Sequence, residues 1–266
     1  MRKEALTLMQ IMERYLRCLE PWVKSQEKYI YHISQRPSLA CYGTGYNSWG
    51  VQTNQKAFAA LAVLATDPDF AEVRAGLPQK KVLDYALKTL RFSLESHIEG
   101  SYHCTDGTKW GHTWISTLGI ERMMHGVDAI GEHLTLADKE LLRGVLISEC
   151  DWLLDHYEIV AGLVAREGQN KPESNLWNGA VLHRTAAMYP DAPRALEYQE
   201  KGIRFLINSI SVPQDETSQE IIDGKPICER FVGANFFDSF ALNHHGYLGS
   251  AECVSRIALP FVNANR

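Results

Sequence analysis

Two adjacent histidines with a tyrosine close behind make the densest proton-transfer set in the chain, Asn243-His244-His245-Gly246-Tyr247. Histidine has an unperturbed pKa of about 6.5, so His244 and His245 can take or return a proton near neutral pH. Tyr247 can act as acid or base where neighbouring cations lower its pKa. A second set lies in Lys171-Pro172-Glu173-Ser174-Asn175-Leu176-Trp177-Asn178-Gly179, followed by Arg184. Pro172 and Ser174 mark a helix start, which puts Glu173, Asn175 and Asn178 at its mouth. Amide groups there can donate N–H bonds to a carboxylate without adding charge. A helix cap, worth about 1 kcal/mol, explains one residue of this set and leaves the others open.

The elements that must position these residues are helical. Apolar side chains recur at helix spacing in Leu8, Met12, Tyr15 and Leu19, and in Ala57, Phe58, Leu61, Leu64 and Ala65. Leu142, Val145, Leu146, Cys150, Leu153 and Tyr157 form another such stripe. The spacing predicts helices over about 54–66, 78–97, 111–131, 135–158, 174–189 and 192–210. Strand-type alternation is absent over any six-residue window, so the fold class is all-α. Short aromatic-glycine segments precede the helices at Trp49-Gly50, Trp110-Gly111-His112, Trp177-Asn178-Gly179 and Gly233-Ala234-Asn235-Phe236. Trp49 to Trp110, Trp110 to Trp177 and Trp177 to Phe236 are intervals of 61, 67 and 59 residues. Two helical stripes per interval is the signature of stacked helical hairpins.

Such hairpins close into an α/α toroid or stack as an open solenoid. A ring of six pairs would need about 350 residues. The 266-residue chain supplies about four pairs, so residues 1–266 are expected to form one incomplete α/α-toroid domain whose C-terminal end is missing. That expectation would leave Phe236, Phe237, Phe240 or Leu242 exposed. The shared hairpin register leads to a second expectation, that Asn54, His112, Asn178 and His245 line one cavity.

Composition narrows the function. Lys plus Arg is 27 and Asp plus Glu is 32, a net charge of −5 that argues against a nucleic-acid partner. The chain is 45% apolar and 22% charged, a globular balance. No apolar run reaches the roughly 18 residues of a membrane span. Glu4, Gln10 and Glu13 interrupt the stretch where a signal peptide would sit, so the reading as given is cytoplasmic, with export open if an earlier start exists. The six cysteines contain no CxxC pair, which suits reduced, buried thiols.

The segment Asp238-Ser239-Phe240 with His245-Gly246 and the nearby tyrosine resembles the inner-helix catalytic segment of α/α-toroid polysaccharide lyases, the chondroitin/hyaluronan-lyase-like and heparinase II/III-like families. The resemblance is close over about 15 residues and extends loosely through the hairpin repeat. It implies β-elimination at a uronic acid by Asn, His and Tyr: Asn175 and Asn178 neutralising the carboxylate, His244, His245 and Tyr247 moving protons. The substrate is then an acidic oligo- or polysaccharide, with no cofactor and no metal required. Trp49, Trp110 and Trp177 would offer flat faces to sugar rings, with His112, Glu173, Arg184 and Arg230 as further substrate contacts. Two departures stand out: Tyr247 follows His245 more closely than in those families, and no second sheet domain follows.

Three rivals carry less. A glycoside hydrolase on the same scaffold needs two carboxylates roughly 5 to 9.5 Å apart, drawn from Asp106, Glu173, Glu229 and Asp238. A non-catalytic helical-repeat protein would grip a glycan or peptide without turnover. A zinc enzyme would draw on His103, Cys104, His112, His244 and His245, but adjacent His103 and Cys104 are poorly spaced for one ion.

Overall fold

The computed structural model describes residues 7–159 and 172–234. Helix dominates, in agreement with the all-α expectation. The helices are α1 (Leu8–Gln26), α2 (Trp49–Thr66), α3 (Glu72–Ala75), α4 (Gln79–Glu95), α5 (Ser116–Ile130), α6 (Leu136–His156), α7 (Pro172–Met188) and α8 (Ala195–Ile210). Two short antiparallel ribbons, absent from the sequence-based expectation, accompany them: β1 (Ile30–His32) with β2 (Ala40–Tyr42), and β3 (Ile221–Ile222) with β4 (Lys225–Pro226). The described chain divides into two compact units. Residues 7–111 and 122–145 form the first, and 112–121, 146–159 and 172–234 the second.

In the first unit, α2 packs along α4 around Phe58, Leu61, Leu64, Leu90 and Phe92, all fully buried. Asn54 clamps three elements together. Its Oδ1 accepts the Tyr42 N–H at 2.7 Å, and its Nδ2 donates to Thr89 O and Ser93 Oγ at 2.8 and 2.9 Å. A buried amide must find such partners, and this one has found them all. α1 departs from its sequence pattern. Met12 and Tyr15, expected to face the core, are 52% and 70% exposed, while Glu20 and Val23 are buried. The reason is electrostatic. The Glu20 carboxylate accepts from Arg17 and Arg74 at 2.6 and 2.5 Å and from the Ala71 N–H at 3.0 Å. A fully enclosed carboxylate requires those donors, and they orient α1 by its polar side.

Glu27 anchors a second ion cluster, accepting from Lys24 at 2.6 Å, from Tyr85 Oη at 2.8 Å and from Lys81. These hydrogen bonds, Lys24 first, pull its carboxyl from an ordinary 4.5 down to about 2. A depressed folded pKa contributes stability that is fully present above the unfolded value and lost as pH falls through the folded one. Denaturant titrations between pH 5 and pH 2 should therefore show the wild type losing more stability than Glu27→Gln. Parallel losses in both proteins would remove Glu27 from the acid response.

The second unit is built on the α7–α8 hairpin, whose register runs in opposite directions. Asn175 Nδ2 donates to Asn208 O at 3.4 Å, Gly179 abuts Leu206, and Gly202 abuts the His183 backbone. Lys201 on α8 donates to Leu153 O and Leu154 O at 2.8 and 3.0 Å, satisfying the last carbonyls of α6. The start of α5 is later than the predicted residue 111. Gly111 (φ 128°) and His112 (φ 53°) turn the chain, and Thr113 with Ser116 closes the first turn, Thr113 N to Ser116 Oγ being 3.1 Å.

Candidate functional site

The second unit gathers polar side chains where the end of α6 meets the starts of α5 and α7. Tyr157, just past α6, turns its ring toward Trp152 at 5.9 Å and Phe205 at 6.3 Å. Its hydroxyl faces Ser174 and Asn178. Burial raises the phenol pKa, and the hydrogen-bonding groups of Ser174 and Asn178 pull it partly back. The Thr117 hydroxyl donates to Asn178 Oδ1 at 2.6 Å, fixing the amide. Tyr157 Oη, Ser174 Oγ and Asn178 Nδ2 are enclosed together, and among the described residues they face one another without a well-formed hydrogen bond. The neighbouring Glu173 carboxylate shares this condition at Oε2. A buried polar group without a well-formed partner costs about 1–3 kcal/mol, which sets this stretch apart from an ordinary core.

His112 stands beside this cluster. Its Nε2 lies 3.0 Å from Ser148 Oγ, its backbone N–H donates to Glu149 Oε1 at 2.7 Å, and its ring stacks on Trp152. Trp152 contacts both His112 and Tyr157, so one indole links the two arrangements.

The sequence-derived candidates separate clearly. Asn175, Asn178, Glu173 and Trp177 all lie on α7 and are all buried, and Trp177 packs with Ile115 and Leu118. That packing, at 9% exposure, encloses the indole face expected to meet a sugar. Arg184 is half-buried further along α7. Arg230 is engaged inside the protein. It pairs with Glu200 at 3.2 Å and donates to the carbonyls of Ile222, Asp223 and Lys225, tying the β3–β4 ribbon to α8. In the first unit, Trp49 opens α2 with 57% of its surface exposed, whereas Trp110 is 3% exposed. Trp110 donates its indole N–H to Ser93 O at 2.7 Å and meets His97 edge-on at 4.7 Å, so its ring is a packing element. Asn54 also belongs to the first unit, with its amide fully engaged as described. His244, His245 and Tyr247 lie outside the described residues, as do Phe236, Phe237, Phe240 and Leu242.

Sequence reasoning missed Thr117, Ser148, Glu149, Trp152 and Tyr157. Tyr157 is in phase with the apolar stripe of α6 and reads as a core residue, and its ring is buried at 4% exposure. Glu149 carried a usable signal: it falls between Leu146 and Leu153 on that stripe, and a carboxylate there needs a partner. Among the described residues no three His, Cys, Asp or Glu side chains gather around one point, and no helix is long and apolar enough to cross a membrane. No protein-family model, characterised protein or solved structure matches the chain.

Proposed function

We propose that the chain is a carbohydrate-active enzyme, a polysaccharide lyase that cleaves uronic-acid-containing glycans by β-elimination on helical hairpins of the α/α-toroid type. The observation that carries this reading is the set of enclosed polar groups at the mouth of α7 that lack well-formed partners among the described residues: Tyr157, Ser174, Asn178 and Glu173. A ligand rich in oxygen, once admitted to this mouth, would offer them well-formed partners. In β-elimination the proton on the carbon beside the carboxylate is poorly acidic until the carboxylate charge is neutralised. Asn178 is suited to that role, since Thr117 holds its Oδ1 and leaves Nδ2 to donate. Loss of the proton leaves an electron pair that forms the ring double bond while the glycosidic C–O bond breaks. The departing oxygen needs a proton, and Tyr157 is suited to give it, because burial raises its pKa and keeps the phenol protonated. Asn175 supports the same wall, its Nδ2 donating to Asn208 O. By the sequence resemblance, His244, His245 and Tyr247 complete the set.

Incubation with polyuronates and glycosaminoglycans tests this directly, since elimination creates an unsaturated uronate absorbing in the near ultraviolet. Tyr157→Phe should lower kcat by about 10²- to 10⁴-fold with KM nearly unchanged, because only the phenolic proton is removed. A Tyr157→Phe protein with wild-type turnover would take that residue out of the mechanism. A hydrolase is the second reading, favoured by the enclosed Glu173 carboxylate, whose Oε2 has no donor among the described residues. New reducing ends without ultraviolet absorption, abolished in Glu173→Gln, would replace elimination by hydrolysis.

A further inference from the structure

His112 sits in a backbone conformation that a residue with a β-carbon adopts at a cost. Its φ of 53° lies in the left-handed region, where glycine or asparagine is the low-cost choice. Three residues of α6 hold it there. The fully buried Glu149 carboxylate takes its main-chain N–H at 2.7 Å. Trp152 fixes the ring plane, with 5.9 Å between centroids and 4° between planes. Ser148 Oγ meets Nε2 at 3.0 Å. The turn alone needs none of this, since glycine would make it without strain. What the arrangement holds in place is the imidazole, which remains half-buried and so within reach of a ligand. Strain retained beside a polar cluster points from geometry to function.

We infer that His112 and Ser148 form the proton relay of this site, supplying the base of the elimination in place of the His244-His245 pair; the inference rests on the lyase reading given above. Ser148 Oγ takes the proton from the sugar carbon beside the carboxylate as its own hydroxyl proton passes to His112 Nε2. The electron pair of the broken C–H bond becomes the ring double bond, and the C–O bond to the leaving sugar breaks. Tyr157 protonates the departing oxygen. The imidazolium proton then restores the phenol through solvent, so the protein ends in its starting state. Glu149 and Trp152 are positioning residues in this scheme.

The relay requires His112 to carry its neutral-state proton on Nδ1, leaving Nε2 to accept from Ser148. Long-range ¹H–¹⁵N spectra recorded above neutral pH read that tautomer, and the Nε2-protonated form in the wild type would overturn the relay. On the glycan panel, Ser148→Ala and His112→Gln should each lower kcat by at least about 100-fold, with KM within about threefold. Ser148→Ala removes only the contact to Nε2 and keeps the Glu149 bond to the His112 main chain, so its loss of turnover cannot be ascribed to misfolding if its melting temperature is unchanged. An active wild type whose two variants keep more than about a third of kcat overturns the relay alone. A wild type that releases no unsaturated product from any polymer overturns the lyase reading, and this inference with it.

Discussion

Gly179→Val is expected to lower the melting temperature by roughly 10 °C, the counterpart of about 3 kcal/mol. A β-carbon at Gly179 would lie 2.7 Å from Leu206 Cγ, 2.8 Å from Gly202 O and 2.9 Å from Leu206 N. Two of those three atoms are backbone, so no side-chain rotation relieves the clash. The α7–α8 pair must separate, and with it the Asn175–Asn208 contact that sets the hairpin's register. Gly144 provides the control. It lies within α6, and a β-carbon there meets nothing within 4 Å. Gly144→Ala should gain about 0.5–1 kcal/mol, because alanine loses less backbone entropy on forming a helix. Equal melting temperatures for Gly179→Val and the wild type would show that α7 and α8 do not depend on this close approach.

Helix content was legible because it depends on short-range periodicity, which the buried stripes of α2, α4 and α8 display. The failures have separate causes. α1 leaves Met12 and Tyr15 exposed because the buried Glu20 carboxylate sets its orientation, and the arginine that carboxylate meets on α3 lies 54 positions away. The start of α5 was placed early because nothing in Gly111-His112 announces a left-handed turn at a histidine. The aromatic-glycine segments looked alike, yet Trp49 is exposed and Trp110 buried. The distinction is the Ser93 carbonyl that receives the Trp110 indole N–H, a partner set by tertiary contact. For the candidate site, the α7 segment was found from its amides and its helix start. Its counterpart along and just past α6 is not legible, because Tyr157 sits in phase with the core stripe and Ser148 is an ordinary helix residue until His112 folds onto it.

Asn178→Ala should reduce kcat by about 10²- to 10³-fold, or 2.7–4 kcal/mol of transition-state stabilisation, with a smaller effect on KM. The amide matters most once charge develops on the substrate. In the bound substrate, a uronate carboxylate already carries its charge and can be satisfied by several donors. As the neighbouring C–H bond breaks, further negative charge accumulates on the same oxygens, and a fixed donor gains most at that moment. Asn178 is fixed by the 2.6 Å bond from Thr117 and by enclosure, so it does not need to reorganise. Stability should change little by comparison. The substitution removes an N–H donor that has no well-formed acceptor among the described residues, and it leaves one hydroxyl, on Thr117, in need of an acceptor. The net loss should be about 1 kcal/mol. Asn178→Asp separates charge from shape: it preserves the side-chain volume but replaces the donor with a second carboxylate facing that of the substrate. It should be no more active than Asn178→Ala, with a raised KM from like-charge repulsion. An Asn178→Asp enzyme that turned over acidic glycans faster than Asn178→Ala would show that this position does not meet the uronate carboxylate, and the hydrolase reading centred on Glu173 would then account better for the site.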